Sequence, residues 1–191
     1  GLNSSVYSIA VQADGKIVVG GQFTSYNNGS GVNPKVKSLA RFNADGSLDS
    51  DFSDTYAGMA VGLNSSISSV AIQADGKMVV GGIFGSYDNG SGANPKVNTL
   101  ARFNADGSLD TAFTNTYAGA ADGIDGLAYS VLVQADGRIL VGGNFDTYNN
   151  GAPNSKVSNL ARFNPDGSLD TAFSDTYAGT SIGLNDWVRS V

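Results

Sequence analysis

Residues 12–23 read QADGKIVVGGQF and residues 39–52 read LARFNADGSLDSDF, and each stretch recurs twice more in closely similar form. Their second copies begin at Gln73 and Leu100, 61 residues after the first in each case. Their third copies begin at Gln134 and Leu160, so the second stretch returns after only 60 residues. A fixed period of this kind is typical of tandem-repeat proteins. We therefore expect units over residues 1–61, 62–122 and 123–182, and the first strand of a fourth unit over residues 183–191.

Each unit contains two predicted hairpins. The apolar runs Val6–Val11 and Ile17–Phe23 flank an Asp-Gly pair, which is a strong hairpin signal. The runs Leu39–Asn43 and Leu48–Phe52 flank a second Asp-Gly pair in the same way. No stretch has a convincing helical periodicity. The unit is therefore expected to consist of four short antiparallel strands.

Glycines and aromatic residues recur at fixed positions and indicate how the units pack. The pairs Gly20-Gly21, Gly81-Gly82 and Gly142-Gly143 fall inside predicted strands, where glycine is tolerated when another backbone approaches closely. Aromatic residues at a fixed phase usually form the layers of a repeat core. All nine phenylalanines occupy three repeat positions: Phe23, Phe84, Phe145, Phe42, Phe103, Phe163, Phe52, Phe113 and Phe173. The predicted fold is all-β, with tandem four-stranded antiparallel units like β-propeller blades. An open β-solenoid or fibre is the alternative.

Composition excludes several classes of function. The chain has no cysteine and no histidine, and all 17 of its acidic residues are aspartates, which removes thiolate nucleophiles, imidazole bases and the usual zinc and iron sites. The net charge of −6 argues against nucleic acid as a partner. No apolar run reaches the ~18 residues of a membrane-spanning helix, so no membrane insertion is expected. The chain begins with Gly1 and has no visible signal peptide, and we expect it to be part of a longer protein.

The stretches at residues 12–23 and 39–52 closely resemble the delta-60 repeat, a propeller-type unit of large bacterial surface proteins and some phage-associated proteins. The resemblance covers the chain three times over. It implies a β-propeller fold and an extracellular setting, and it implies no catalytic motif. Propellers close with about 4–8 blades. The intact protein is therefore expected to be longer, to assemble between chains or to form an open fibre.

No cofactor is expected, and a bound calcium ion is the alternative. Oxygen-bearing side chains two and four residues apart around a glycine are similar to part of a calcium loop, but the distal bidentate acid is missing. A hairpin whose aspartate accepts backbone N–H bonds explains the same pattern. The candidate ligands are Asn43, Asp45, Asp49, Asn104, Asp106, Asp110, Asn164, Asp166 and Asp170.

Arginine recurs beside the aromatic positions, at Arg41, Arg102 and Arg162. A buried arginine needs a partner. A structural ion pair with the nearby aspartate is expected, with a site for a sugar acid or phosphate as the alternative. Nearly every polar residue is present in triplicate at one phase, whereas catalysis needs one asymmetric constellation. We therefore predict no enzymatic activity and no catalytic residue.

The segment at residues 25–34 and its copies are expected to form exposed loops. If a ligand binds there, tyrosine rings could stack on sugars and asparagine amides could bond to them. The candidates are Tyr26, Asn28, Tyr87, Asn89, Tyr148 and Asn150. Core packing of the tyrosines and simple turns at the asparagines are the alternatives.

Together these observations predict a structural or adhesive repeat segment of a larger extracellular surface or fibre protein, of bacterial or phage type. A glycan- or protein-binding propeller is the first alternative, and a non-catalytic part of a longer secreted enzyme is the second. The expected partners are further repeats of the same chain or a second copy, with a glycan or surface protein as a further candidate. The strand at Trp187–Val191 should pair with a neighbouring blade, because an unpaired strand edge favours association.

Overall fold

The computed structural model of the chain describes residues 1–29, 36–56, 62–88, 90, 95–119, 121–151, 155–177 and 183–191. The predicted loop at residues 25–34 therefore lies partly outside the described residues. Within the described ranges the chain is built mainly from short antiparallel strands and three short helices.

The elements follow the repeat. The first unit contains β1 (Val6–Val11), β2 (Ile17–Gly21), β3 (Leu39–Phe42) and α1 (Ser50–Tyr56). The second contains β4 (Gly62–Leu63), β5 (Ile67–Ile72), β6 (Met78–Gly82), β7 (Tyr87–Asp88), β8 (Leu100–Phe103) and α2 (Thr111–Tyr117). The third contains β9 (Gly123–Ile124), β10 (Leu127–Val133), β11 (Ile139–Asn144), β12 (Thr147–Asn149), β13 (Ser155–Lys156), β14 (Leu160–Phe163) and α3 (Thr171–Tyr177).

Each unit contains an antiparallel three-stranded main sheet, in the orders β1-β2-β3, β5-β6-β8 and β10-β11-β14, and the described residues also form the smaller antiparallel sheets β4-β7 and β13-β12-β9. We call a main sheet together with the helix that follows it a blade. The predicted Asp-Gly hairpin joins the first two strands: Gln12 N–H donates to the Lys16 carbonyl at 2.8 Å, and Gly15 has a φ of 81°. That positive φ is the conformation for which glycine is suited. The all-β, blade-like fold predicted from the sequence is confirmed.

The fourth strand predicted at Leu48–Phe52 is wrong. Leu48 forms only an isolated bridge with Phe42, and a seven-residue helix begins at Ser50. The physical reason is Asp49, whose Oδ1 accepts the Phe52 N–H at 3.2 Å and so caps the first turn. Asp110 and Asp170 bond in the same way to Phe113 and Phe173. We call Asp49, Asp110 and Asp170 the helix-capping aspartates.

The blades pack through the predicted glycine pairs. A Cβ placed on Gly20 would lie 2.6 Å from Ile67 Cγ2, and one placed on Gly81 would lie 2.8 Å from Val131 Cγ1. Real Cβ atoms do not approach other atoms so closely, so the first strand of the next blade fits only against glycine. Gly21 approaches the Ser5 backbone of its own sheet instead. The predicted close approach of a backbone therefore holds for Gly21, whereas side chains of the next blade are what crowd Gly20 and Gly81.

The aromatic residues form the core between and within blades. Six of the nine repeated phenylalanines are among the largest fully buried side chains: Phe23, Phe52, Phe84, Phe103, Phe113 and Phe163. Tyr56 and Tyr117 stack on Phe52 and Phe113 with ring centroids 6.2 Å apart. The core prediction is confirmed for these six and for Phe145, whereas Phe42 and Phe173 are half-buried.

Residues 183–191 lie where the first strand of a fourth unit is expected, but no strand is assigned there. Val188 N–H donates to the Gly143 carbonyl at 3.0 Å, and Val191 N–H donates to Ser130 Oγ at 3.1 Å. The bond from Val191 to Ser130 corresponds to the bonds that Val70 and Val131 make to Ser8 and Ser69 in the earlier repeats. We call this segment the tail. It packs on the third blade as a first strand does, without a hairpin partner of its own.

Candidate functional site

The charged residues of each blade meet where the sheet gives way to the helix. Asp49 Oδ2 accepts from Arg41 Nε at 2.8 Å and from Lys16 Nζ at 2.9 Å. Lys16 lies on the Asp-Gly hairpin and Arg41 on β3, so three parts of the blade converge on one carboxylate. Corresponding clusters occur at Arg102–Asp110–Lys77 and at Arg162–Asp170–Arg138. The predicted structural ion pairs of all three arginines are confirmed.

The arginine also reaches the next blade. Arg41 Nη1 donates to the Ala105 carbonyl in the turn of the second blade, and Arg102 Nη1 donates to the Pro165 carbonyl in the third. Each guanidinium lies over the phenylalanine of its own helix, with Arg102 Cζ 4.4 Å from the Phe113 centroid. One cationic side chain thus holds strand, helix and neighbouring blade together.

The electrostatics of these clusters favour charged carboxylates. Burial alone would raise the pKa of Asp49, but hydrogen bonds from Lys16, the Phe52 N–H and Arg41 outweigh it and lower the pKa. The same balance lowers the pKa of Asp110 and of Asp170. A carboxylate that stays ionised and bonded to three donors is suited to holding structure. A general acid needs a raised pKa instead.

The calcium candidates form hydrogen-bonded turns. Asp45 Oδ1 accepts from the Ser47 N–H at 2.9 Å and from Ser47 Oγ at 2.7 Å, while Asn43 Nδ2 donates to Ser47 Oγ at 3.0 Å. The hydrogen bonds from Ser47 lower the pKa of Asp45. The second and third copies repeat this arrangement through Asn104, Asp106, Ser108, Asn164, Asp166 and Ser168. Nowhere in the described part of the chain do three carboxylates form a group that could hold a metal ion. The geometry favours the hairpin explanation.

Two of the three candidate sugar-stacking tyrosines lie in the core. Tyr87 and Tyr148 are buried, and their hydroxyls donate to the Tyr56 and Tyr117 carbonyls, the latter at 2.6 Å. Burial raises the pKa of Tyr148 to about 12. Tyr26 is half-buried and meets Phe42 edge-on, with the centroids 5.3 Å apart. Rings held in this way favour core packing over sugar stacking.

The asparagine candidates belong to the loops between β2 and β3 and their copies. Asn28 and Asn150 are exposed, while Asn89 lies outside the described residues. Beside them, Asn27 Oδ1 accepts the Gly29 N–H at 2.7 Å and Asn149 Oδ1 accepts the Gly151 N–H at 2.8 Å. Such side chain-to-backbone bonds are typical of turns. The Asn27 and Asn149 side chains therefore stabilise turns at these two positions of the loops.

Sequence reasoning missed the cleft between the hairpins of neighbouring blades. A cleft of about 380 Å³ lies between the Asp14 and Asp75 turns and is lined by Gln12, Lys16 and Arg41 among others. Gln12 is buried; its Nε2 donates to the Gly76 carbonyl at 3.3 Å, while its Oε1 has no hydrogen-bond partner. The signal that could have revealed the cleft is the fixed position of this glutamine one residue before each Ala-Asp-Gly turn.

Sequence reasoning also missed the role of the helix tyrosines. Tyr56 OH donates to the Lys37 carbonyl at 2.9 Å and accepts the Leu63 N–H at 3.0 Å, which links the first blade to the start of the second unit. Tyr117 and Tyr177 make the equivalent bonds to Ile124 and Leu184. Burial raises the pKa of Tyr56 and of Tyr117.

Among the helices described, none is long and apolar enough to cross a membrane.

Repeated blades joined by glycine faces and arginine contacts define a tandem β-propeller-type repeat protein. The sequence matches the family described as a beta-propeller domain of unknown function, DUF5122, at residues 12–52, 73–113 and 134–173, and the chain belongs to that family.

Comparison with solved structures also gives matches, of which one is described here. A crystal structure of a protein of unknown function from Bacteroides caccae matches with a TM-score of 0.41 and 13% identity. The match covers 86% of this chain and 44% of that one, so this chain spans less than half of its neighbour's length. No curated protein matches.

Proposed function

We propose that the chain is a non-catalytic structural and adhesive repeat segment of a larger extracellular surface or fibre protein, of the delta-60 type. The observation that supports this best is the use of the repeated charged groups. The helix-capping aspartates, the blade arginines and Lys16 or its equivalents bond to one another, to helix N–H groups and to the next blade.

A catalytic role would require groups poised for reaction. Hydrogen bonds lower the pKa of the Asp49 and Asp110 carboxyls, and burial raises the pKa of Tyr56 and Tyr117, so these groups are held in their ordinary ionisation state near neutral pH. Identical units serve a scaffold well, because each one adds length and presents the same surface, which gives multivalent contact.

The location is tested by labelling cells. Antibodies raised against the chain should label intact, unpermeabilised cells or fibres of the organism that makes it. Labelling that appears only after permeabilisation would contradict the extracellular role. The adhesive role is tested by adhesion of coated beads to host or neighbouring cells, compared with beads carrying a thermally unfolded sample of the chain.

The cleft beside Gln12 favours a second candidate function, a glycan- or protein-binding propeller. A buried amide oxygen without a partner costs about 1–3 kcal/mol, which a donor group of a bound sugar or peptide would relieve. A glycan array should then give specific hits that Gln12→Leu abolishes and Gln22→Leu, at an exposed glutamine, preserves. An array without hits would favour the scaffold role over glycan binding. Hits that persist in Gln12→Leu would show that the glycan does not bind in this cleft.

A further inference from the structure

A second cleft lies at the junction of the second and third blades, and several of its lining residues depart from the repeat. Its volume is about 410 Å³, and it opens between the end of β6 and the residues around β9. The blades on both sides of it belong to this chain. The lining residues are Ile83, Phe84, Gly85, Asn98, Thr99, Asp122, Ile124, Asp125, Gly126 and Leu127.

Two aliphatic side chains line this cleft at positions where other units have polar residues. Ile83 occupies the position of Gln22 and Asn144, and Leu127 occupies the position of Ser66. Ile83 is 46% exposed, although its blade has a neighbour on each side. Ligand pockets combine apolar walls of this kind with a few polar groups. The cleft therefore has an apolar wall that the equivalent positions of the repeat do not supply.

Asp125 brings a charge to the cleft that the turn around it does not need. Its Oδ1 accepts two backbone N–H groups, both at 2.9 Å. Asn3 Oδ1 and Asn64 Oδ1, at the same repeat position, accept the equivalent N–H groups at 2.8 to 3.2 Å. An amide oxygen is therefore sufficient for the turn, and the aspartate adds a negative charge.

Asp122 brings a second carboxylate to the same cleft. It is the last residue of its unit, where the first unit has Val61 and the third has Ile182. Asp122 Oδ1 accepts from Lys96 Nζ at 3.0 Å, and these side chains are 61% and 62% exposed. An ion pair this exposed is weak, so another cationic group can displace Lys96. Even with Lys96 in place, the two carboxylates leave the cleft with a net negative charge.

We propose that this cleft binds a ligand that carries an ammonium or guanidinium group on an aliphatic stem. The carboxylates of Asp122 and Asp125 attract the cationic group, and the side chains of Ile83 and Leu127 pack against the stem. Lys96 is the precedent within the chain, because its own ammonium group, on an aliphatic stem, already pairs with Asp122. The ligand group can belong to a free alkylamine or to a basic side chain of a peptide. The site is separate from the Gln12 cleft and does not depend on the scaffold role.

Titration of the full chain with pentylamine, followed by NMR, tests the proposal. The methyl and amide signals of Ile83 and Leu127 should shift and saturate, with a dissociation constant of about 1–10 mM at low ionic strength. Methylamine carries the charge without the stem, and pentanol carries the stem without the charge. Each should bind at least about tenfold more weakly than pentylamine. Added salt should weaken the binding of pentylamine, because it screens the carboxylates.

Variants that borrow residues from other units remove one part of the site at a time. Asp125→Asn and Ile83→Gln each install a residue that another unit has at the same position, so both should fold. Each should weaken pentylamine binding about three- to tenfold. Lys96→Gln removes the competing ammonium group and should strengthen binding about two- to fivefold. The control Asp51→Asn, at an exposed carboxylate of α1, changes the net charge as much as Asp125→Asn does and should leave binding unchanged.

A Gly-Ser peptide with one central lysine distinguishes the two sources of the cationic group. Binding of this peptide about tenfold tighter than that of pentylamine would assign the cleft to a basic segment of a protein. Equal or weaker binding of the peptide would assign it to a free amine.

Three outcomes would overturn the proposal. The first is the absence of saturable shifts at Ile83 and Leu127 up to about 100 mM pentylamine. The second is binding of methylamine as tight as that of pentylamine, which would mean that charge alone is responsible. The third is unchanged binding in the double variant Asp122→Asn with Asp125→Asn, once circular dichroism and thermal melting have established that it is folded. The cell-labelling test of the scaffold role is unaffected by any of these results.

Discussion

Removing the carboxylate of Asp110 should destabilise the chain more than removing the carboxylate of Asp170. Asp110 accepts from Lys77 Nζ at 2.8 Å, from Arg102 Nε at 2.9 Å and from the Phe113 N–H at 3.2 Å. Its substitution by alanine leaves Arg102 buried without its counter-ion and leaves α2 without its cap. Asp170 makes the equivalent bonds at the end of the row, where Arg162 can turn to water.

The magnitudes follow from burial. Removing one partner of a buried ion pair costs about 3–5 kcal/mol, because the other charge stays buried and unpaired. Losing a more exposed pair costs about 0–1 kcal/mol and losing a helix cap about 1 kcal/mol. Asp170→Ala should therefore cost about 1–2 kcal/mol and Asp110→Ala about 3–4 kcal/mol more, the larger value being a large part of a typical folding free energy of about 5–15 kcal/mol.

Urea unfolding followed by circular dichroism measures this difference. With a slope of about 2 kcal/mol per molar urea, Asp110→Ala should unfold about 1.5–2 M urea earlier than Asp170→Ala. Equal midpoints for the two variants would refute the reasoning that the junction buries Arg102. A cost below about 1 kcal/mol for Asp110→Ala would refute the structural role of the whole cluster.

Four further results are expected. Gly81→Ala should cost about 1–3 kcal/mol in urea unfolding, because its Cβ would overlap Val131, and a stabilised variant would contradict the packing. The helix-capping aspartates have lowered pKa values when folded, so their stabilisation is complete above about pH 4 and is lost as the pH falls below it. Melting temperatures from neutral to acidic pH measure this, and a decline that begins above about pH 5 would contradict it. Tyr56 and Tyr117 should ionise only when the chain unfolds, well above the pH of about 10 at which exposed tyrosines titrate, so absorbance at alkaline pH should rise in two steps and not in one. Neither calcium nor a chelator should change the melting temperature, because the turn oxygens are bonded to serine and to backbone N–H groups. A rise in the melting temperature with calcium would indicate that these turns bind the ion.

The repeat, the first hairpin and the glycine junction could be predicted because each depends on local chemistry. An Asp-Gly pair between apolar runs is a strong hairpin signal, and the positions of Gly20 and Gly81 in the repeat can be read directly from the sequence. The pairing of Arg41 with Asp49 was predictable for a similar reason, since a buried guanidinium requires a carboxylate.

The short helices could not be separated from a strand by hydrophobic pattern alone. Leu48–Phe52 begins with an apolar residue after a turn, as a strand does, and the helix spans only seven residues. The informative signal was Asp49 three residues before Phe52, a capping position, with Phe52 and Tyr56 on one helical face.

The burial of Tyr87 and Tyr148 was also beyond local reasoning. Their rings meet Phe103 and Phe163 at 5.3 Å, and their hydroxyls reach carbonyls of the preceding unit, so their environment depends on how blades pack. A tyrosine beside a polar loop has the same sequence context whether its ring faces the core or the solvent.

The central claim is that the same contact between neighbouring blades recurs along the chain and is formed by the repeated residues. Residue-resolved amide hydrogen exchange at low concentration tests it most directly. The Val70 and Val131 amides, bonded to Ser8 Oγ and Ser69 Oγ of the preceding blade, should be protected to a similar degree. The Ile9 amide, at the same phase without a preceding blade, should exchange rapidly. Fast exchange at Val70 or Val131, or protection of Ile9 equal to theirs in the dilute chain, would contradict the account.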